Sequence, residues 1–148
     1  MNAHRRLVLK GLVALAAIAA WPRLLLAARP DSAFQETDAD KVIADLFGQA
    51  PTDSNQVTMK IPEIAENGAV VPVTISTTLE DVESISIVVI NNPTPLAVSF
   101  IMAPRALPSV AVRIKMGESS EVRALVKAGG VLYSTTKDVK VTIGGCGG

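Results

Sequence analysis

The residue with the clearest chemical potential is Cys146, the single cysteine of this 148-residue chain. Four glycines surround it at the carboxyl end: Gly144, Gly145, Gly147 and Gly148. Glycine leaves the sulfur unshielded and permits backbone conformations that are closed to other residues. Five extended residues span about 16 Å at roughly 3.3 Å each. The sequence therefore predicts a thiol on a thin, flexible arm beyond a folded body.

No neighbour in the sequence activates this thiol. Reactive cysteines are usually activated by a cation, an imidazole or a helix N-terminus. The nearest cation is Lys140, and the terminal carboxylate, two residues after Cys146, disfavours a thiolate. An exposed, unactivated thiol can carry a covalent group into the active sites of other proteins. It can equally join two chains through a disulfide, and the residues alone leave both roles open.

Most familiar active sites are excluded once the N-terminal segment is removed. The single histidine, His4, and the single tryptophan, Trp21, lie within the first 28 residues. Without histidine the remainder has no imidazole base, no Ser-His or Cys-His pair and no histidine metal ligand. One cysteine can form neither an intrachain disulfide nor a cysteine-rich metal site. We therefore expect a protein that is not an enzyme and that holds no metal or cofactor.

Residues 1–28 have the pattern of an export signal. A short basic region with paired arginines, Arg5 and Arg6, precedes an apolar stretch at residues 11–20. A bilayer-spanning helix needs about 20 apolar residues, and this stretch is half that length. Paired arginines before a modest hydrophobic run are typical of twin-arginine export. We expect cleavage near residue 28 and a soluble periplasmic protein, with an uncleaved N-terminal membrane anchor as the alternative.

The charge distribution excludes nucleic acid as a partner. The chain has 14 basic and 14 acidic residues, but residues 1–28 hold four basic residues and no acidic one. The remainder has 10 basic and 14 acidic residues, a net charge of −4, and few aromatic side chains. Nucleic-acid binding relies on clustered positive charge and usually on aromatic stacking. After processing we also expect no membrane association.

A short helix is predicted ahead of the sheet region. Four apolar residues recur at helical spacing: Val42, Ile43, Leu46 and Phe47. Gly48 supplies a C-terminal stop, and Thr37 with Asp40 approximates a capping box. We assign a helix to residues 38–47, preceded by a flexible leader over residues 32–37.

From Val57 onward, apolar and polar residues alternate, as in half-buried antiparallel strands. The alternation is broken at Leu125. The run at residues 85–90 ends as a continuous apolar stretch, and this stretch predicts that the end of the run is buried on both faces of the sheet. Alternating segments lie at residues 71–76, 110–115, 121–127 and 138–143, and turn signals at 67–68, 91–95, 104–108, 116–118 and 128–130. Roughly seven or eight short strands predict a mainly β, immunoglobulin-like antiparallel β-sandwich.

Three segments allow alternative interpretations. The acidic cluster at residues 80–83 is read as a solvated turn, because a calcium site needs more oxygen ligands at defined spacing. The segment at residues 99–102 and the run at residues 85–90 are more apolar than a lone small sandwich requires. They are either core or a sheet face that docks another subunit.

The tail at residues 139–148, Val-Lys-Val-Thr-Ile-Gly-Gly-Cys-Gly-Gly, resembles that of the SoxY family of the bacterial thiosulfate-oxidising system. Residues 61–73, residues 92–95 and the twin-arginine pattern also resemble that family. The resemblance covers essentially the whole chain. We expect a signal peptide at residues 1–28, a leader and helix at 29–56, a β-sandwich carrier domain at 57–143 and a carrier arm at 144–148.

The resemblance implies a covalent carrier of sulfur intermediates, attached at Cys146 and presented to partner enzymes. It implies a heterodimer with SoxZ and transient contacts with the SoxXA cytochrome, the SoxB hydrolase and, in some organisms, the SoxCD dehydrogenase. The haems, manganese and molybdenum of the system belong to those partners. The alternative is a non-catalytic periplasmic β-sandwich module that dimerises through a disulfide at Cys146.

Overall fold

The computed structural model describes residues 31–142, so the predicted signal segment and the glycine-flanked Cys146 lie outside the described residues. The helix and strands in chain order are α1 (Ala39–Phe47), β1 (Thr52–Asp53), β2 (Val57–Lys60), β3 (Ile64–Ala65), β4 (Val71–Thr77), β5 (Val82–Val89), β6 (Leu96–Ile101), β7 (Ser109–Ile114), β8 (Ser120–Ala128) and β9 (Val131–Val141). A single 3-10 turn, Gly68–Val70, connects β3 to β4.

The strands form two sheets. The larger sheet has the order β1-β9-β8-β5-β6, with β3 also paired to β9, and the smaller has the order β2-β4-β7. The predicted mainly β sandwich with one short N-terminal helix is confirmed. Two short strands depart from the predicted antiparallel pairing, because β1 and β3 run parallel to β9. Each of these strands has only two residues, too few to show an alternating pattern.

The sandwich core fills the space between the two sheets. The smaller sheet contributes every second residue of β4, namely Val71, Val73 and Ile75, each at most 1% exposed. The larger sheet contributes, among others, Ile85 and Ile87 of β5, which are fully buried. The period-two pattern in the sequence therefore marks the residues that face this core.

A second apolar cluster covers the outer face of the larger sheet. Val42 and Ile43 of α1 pack there on Val88, Leu125 and Leu132, which point away from the sandwich core. All five side chains are at most 4% exposed. This packing confirms that the end of the 85–90 run is buried on both faces. It also explains why an apolar residue at 125 interrupts the alternation in β8.

Helix α1 begins and ends at residues that satisfy its free backbone groups. Asp38 is the N-cap, and its carboxylate accepts hydrogen bonds from the N–H groups of Asp40 and Lys41 at 2.9 and 3.1 Å. The prediction that Thr37 caps the helix is therefore wrong by one residue. Gly48 ends the helix with a φ of 64°, in the left-handed region that glycine adopts without strain.

The segment before the helix is folded onto the domain, contrary to the predicted flexible leader. The carbonyl of Ser32 accepts hydrogen bonds from the N–H groups of Gln35 and Glu36, which closes a turn. Ala33 within this turn is 1% exposed and belongs to the cluster beneath α1. An alanine carries little sequence signal for burial, so composition alone suggested a leader.

The three ambiguous segments have separate outcomes. Residues 85–89 are fully buried, so this run is core. In β6, an edge strand, Ile101 is 78% exposed while Phe100 is half-buried. In the acidic cluster, Glu80 and Asp81 are exposed as predicted, but Glu83 belongs to β5 and is hydrogen-bonded.

Candidate functional site

The candidate site is the end of β9, from which the cysteine-bearing tail (residues 143–148) continues. Strand β9 pairs with β8 as far as the register position Val139 opposite Ser120. On its other edge, β9 pairs with β3, with Val141 opposite Ala65. Strand β9 is therefore fixed on both edges almost to the last residue that the structure describes.

The last two described residues, Val141 and Thr142, form what we call the tail root. The N–H of Val141 donates to Ser119 Oγ at 2.9 Å. The N–H of Thr142 donates to the carbonyl of Ala65 at 3.1 Å, and its hydroxyl to the carbonyl of Glu66 at 3.3 Å. The tail root is thus bonded to the β7–β8 turn on one side and to β3 on the other.

Two asparagines hold the turns around the tail root together. Asn91 donates through Nδ2 to the carbonyl of Ser119 at 3.0 Å, and through its backbone N–H to Ser120 Oγ at 3.0 Å. Asn92 accepts from the N–H of Gly117 at 3.0 Å and donates to the carbonyl of Lys115 at 2.8 Å. These bonds tie the β5–β6 turn to the β7–β8 turn at the end of the sandwich where the tail leaves.

A cleft opens between the edge strands β6 and β7 at the same end of the sandwich. Its volume is about 490 Å³, and its walls include Leu96, Val98, Val112, Arg113 and Lys115. Gly117 also lines it and lies two residues from Ser119, at most about 7 Å along the chain. The cleft and the tail root therefore share one turn.

The cleft has an apolar floor and a basic rim. Val98 and Val112 are half-buried against the sandwich core, whereas Arg113 and Lys115 are exposed. Neither cation forms an ion pair with another residue in the range 31–142. The predicted cysteine lies four residues after Thr142, at most about 13 Å for an extended chain. An anionic group on that cysteine would carry a charge opposite to that of Arg113 and Lys115 at the rim of the cleft.

The sequence-predicted site residues all lie outside the described residues. This applies to Cys146, to its flanking glycines Gly144, Gly145, Gly147 and Gly148, and to Arg5 and Arg6. What the structure adds is the set of residues that hold the tail root, above all Ser119. Sequence reasoning identified the turns at 91–95 and 116–118 but not their mutual bonds, because an exposed serine carries no signal for a partner 22 residues away.

The described residues contain neither a metal-binding cluster nor a membrane-spanning helix. Between residues 31 and 142, no group of three or more histidine, cysteine, aspartate or glutamate side chains is arranged to hold a metal ion. In that same part of the chain, no helix is long and apolar enough to cross a membrane.

Comparison with known proteins gives one family and two similar structures. Residues 43–146 match the family model of the sulfur oxidation protein SoxY. The sulfur carrier protein SoxY from Chlorobium limicola f thiosulfatophilum is 43% identical, with a TM-score of 0.63, over 70% of this chain and 96% of that one. The superoxide reductase neelaredoxin from Ignicoccus hospitalis is 16% identical, with a TM-score of 0.52, over 70% and 92%, and shares the fold alone. Among curated proteins there is no match.

Proposed function

Because this chain belongs to the SoxY family, we propose that it carries the sulfur intermediates of thiosulfate oxidation, bound covalently to Cys146. The observation that carries the proposal is the family match, which ends on Cys146 itself. A similar structure at 43% identity is named a sulfur carrier protein. The chain offers one thiol, and its position four residues beyond the tail root suits a group that must enter other proteins.

The first step loads the carrier. The thiolate of Cys146 and the outer sulfur of thiosulfate form a sulfur–sulfur bond, which gives a cysteine S-thiosulfonate. Two electrons leave in this step and pass to the haems of the SoxXA cytochrome pair. The chain contributes the thiol, while the oxidant belongs to the partner.

The second step releases sulfate without redox change. Water attacks the terminal sulfonate at SoxB, the bond between the two outer sulfur atoms breaks, and sulfate leaves. The persulfide that remains on Cys146 retains the sulfane sulfur. Where a SoxCD dehydrogenase exists, it oxidises this sulfur further. The haems, manganese and molybdenum of these reactions belong to the partners, and the carrier itself is neither an enzyme nor a holder of cofactors.

The glycines on either side of Cys146 allow the thiol to enter the active sites of the partner enzymes. A carrier must place one sulfur atom in several unrelated active sites, and a chain without side chains is narrow enough for each of them. The folded body presents the tail at one end of the sandwich, where the Ser119 and Ala65 bonds hold its root. We place the protein in the periplasm as a heterodimer with SoxZ, after removal of the twin-arginine signal that includes Arg5 and Arg6.

The experiment that tests this function is mass spectrometry of non-reduced protein from cells grown on thiosulfate. We expect thiosulfonate and sulfane adducts on Cys146 of the wild type and none on Cys146→Ser. The serine variant should keep its melting temperature and its heterodimer, because Cys146 lies beyond the last strand. A disulfide-linked dimer as the sole modified form would instead support a structural module joined at its tails.

A further inference from the structure

Strand β9 extends beyond the end of β8 at the tail root. Strand β8 ends its pairing at Ser120, opposite Val139, so Val141 lies two residues beyond the ladder on that edge. Its N–H donates there to Ser119 Oγ at 2.9 Å. The hydroxyl of Ser119 thus replaces the strand that has ended, and it supplies the partner that a backbone N–H requires.

The position of Ser119 is itself determined by the neighbouring turn. Its carbonyl accepts a hydrogen bond from Asn91 Nδ2 at 3.0 Å. The backbone N–H of Asn91 donates to Oγ of the next residue, Ser120, which is 6% exposed. One bond to Ser119 and one to the next residue, Ser120, therefore hold this part of the chain to the β5–β6 turn.

The opposite edge of the tail root is bonded to the core-anchored strand β3. Ala65, whose carbonyl accepts the N–H of Thr142, is 5% exposed and belongs to the sandwich core. Without the Ser119 bond, the end of β9 would be held on this edge alone.

From these contacts we propose that Ser119 is a positioning residue for the sulfur carrier: by holding Val141 it fixes the point and direction from which the tail starts. The proposal rests on the proposed function of Cys146. Cys146 lies four residues beyond Thr142, and full release of the tail root would make its tether six residues long. Since the volume that a tether explores grows roughly as the 3/2 power of its length, the local thiol concentration at a partner would fall about 1.8-fold, before any loss of direction.

The test compares three variants of the full-length heterodimer. Ser119→Ala removes the hydroxyl, and Ser119→Thr retains it. Ser54→Ala is the matched control, because Ser54 Oγ accepts an equally exposed bond from the N–H of Gln56, far from the tail root. Each protein is loaded chemically with tetrathionate, in which the thiolate displaces thiosulfate and forms the S-thiosulfonate without the cytochrome. Two properties are measured. One is the rate of amide hydrogen exchange at Val141, and the other is the KM and kcat of the hydrolase that releases sulfate from the loaded carrier.

We expect Val141 to exchange about threefold to tenfold faster in Ser119→Ala, the effect of losing one ordinary hydrogen bond. KM should rise about twofold with kcat unchanged, since the chemistry is the same once the tail has entered the active site. Ser119→Thr should restore both values, and Ser54→Ala should alter neither. Unchanged exchange at Val141, or faster exchange with an unchanged KM, would overturn the positioning role. A wild-type carrier that the hydrolase does not process would instead refute the proposed function, while the exchange data would still report on the Ser119 bond.

Discussion

Glu83 accepts a hydrogen bond of 2.8 Å from the backbone N–H of Gly130, and this bond joins the start of β5 to the β8–β9 turn. Lys127 Nζ lies 3.3 Å from the other carboxylate oxygen of Glu83. First the Gly130 bond and then the Lys127 bond lower the pKa of Glu83 below its ordinary value of 4.5. The sequence predicts a solvated turn here; Glu83 is exposed as predicted, but it lies in β5 and is hydrogen-bonded to the β8–β9 turn.

This pKa shift predicts a pH-dependent effect of Glu83→Gln. A carboxyl group whose folded pKa is lowered contributes stability above its unfolded pKa and loses it as the pH falls through the folded pKa. The free-energy difference between wild type and variant should therefore be largest at neutral pH and shrink as the pH falls through the lowered pKa of Glu83. Urea denaturation at several pH values measures it. Glu80→Gln is the control, since that side chain has no hydrogen bond or ion pair within residues 31–142. A difference that does not change with pH would contradict the assignment.

The cluster beneath α1 should account for a large share of the stability. Leu125 is fully buried between the larger sheet and the helix, so Leu125→Ala should lower the free energy of unfolding by about 2–5 kcal/mol. Leu107, which is 84% exposed, provides the matched substitution. Leu107→Ala should change the free energy by less than about 0.5 kcal/mol. Similar losses from the two variants, measured by chemical denaturation, would mean that α1 does not cover the sheet in solution.

The glycines beside Cys146 should act on access rather than on thiol reactivity. Replacing Gly145 and Gly147 with valine adds branched side chains and restricts the backbone. The reaction of Cys146 with a small, freely diffusing thiol reagent should remain near the wild-type rate. Turnover by the partner enzymes should fall sharply and unequally, because their entrances differ. A double-valine carrier that completes the cycle at wild-type speed would show that the glycines are no more than a chain end.

Export should remove roughly the first 28 residues. The basic and apolar N-terminal segment, with its Arg5-Arg6 pair, has the pattern of a cleaved signal. N-terminal sequencing of the periplasmic protein should therefore begin near residue 29, and an Arg5→Lys, Arg6→Lys variant should remain in the cytoplasm. A protein that starts at Met1, or that stays with membranes after carbonate washing, would indicate an anchor.

The elements that could be predicted are those in which many residues repeat one period. The alternation in β4 and β8 is long enough to assign both strands, and the apolar run in β5 predicted that both faces of the larger sheet are covered. The identity of the cover could not be predicted, because a buried Leu125 shows that something packs there but not that α1 does. Strands β1 and β3 could not be predicted, because a strand of two residues is too short to show an alternating pattern. The Ser119–Val141 hydrogen bond could not be predicted, because it depends on where β8 ends relative to β9.

The N-cap of α1 could be predicted only to within one residue. Thr37 and Asp38 are both good N-cap residues, and they are adjacent. The choice depends on which side chain reaches the first free N–H groups, and the structure gives that role to Asp38, whose carboxylate bonds to two of them. Thr37 instead donates its own N–H to Glu36 at 2.8 Å. A sequence pattern therefore predicts the N-terminus of such a helix to within one residue, and only the structure shows which of the two residues is the cap.

Strand β9 is the last strand to be synthesised, and it joins β8, β1 and β3 into one sheet. Its bond from Ser134 to Asp53 closes a separation of 81 residues. The larger sheet therefore cannot be completed until β9 has left the ribosome, and long-range pairing of this kind is slow. A polypeptide that ends prematurely, before β9, lacks the strand that completes the sheet as well as the thiol. A complete larger sheet is therefore the mark of a chain that has been synthesised through β9, the strand that leads to the thiol.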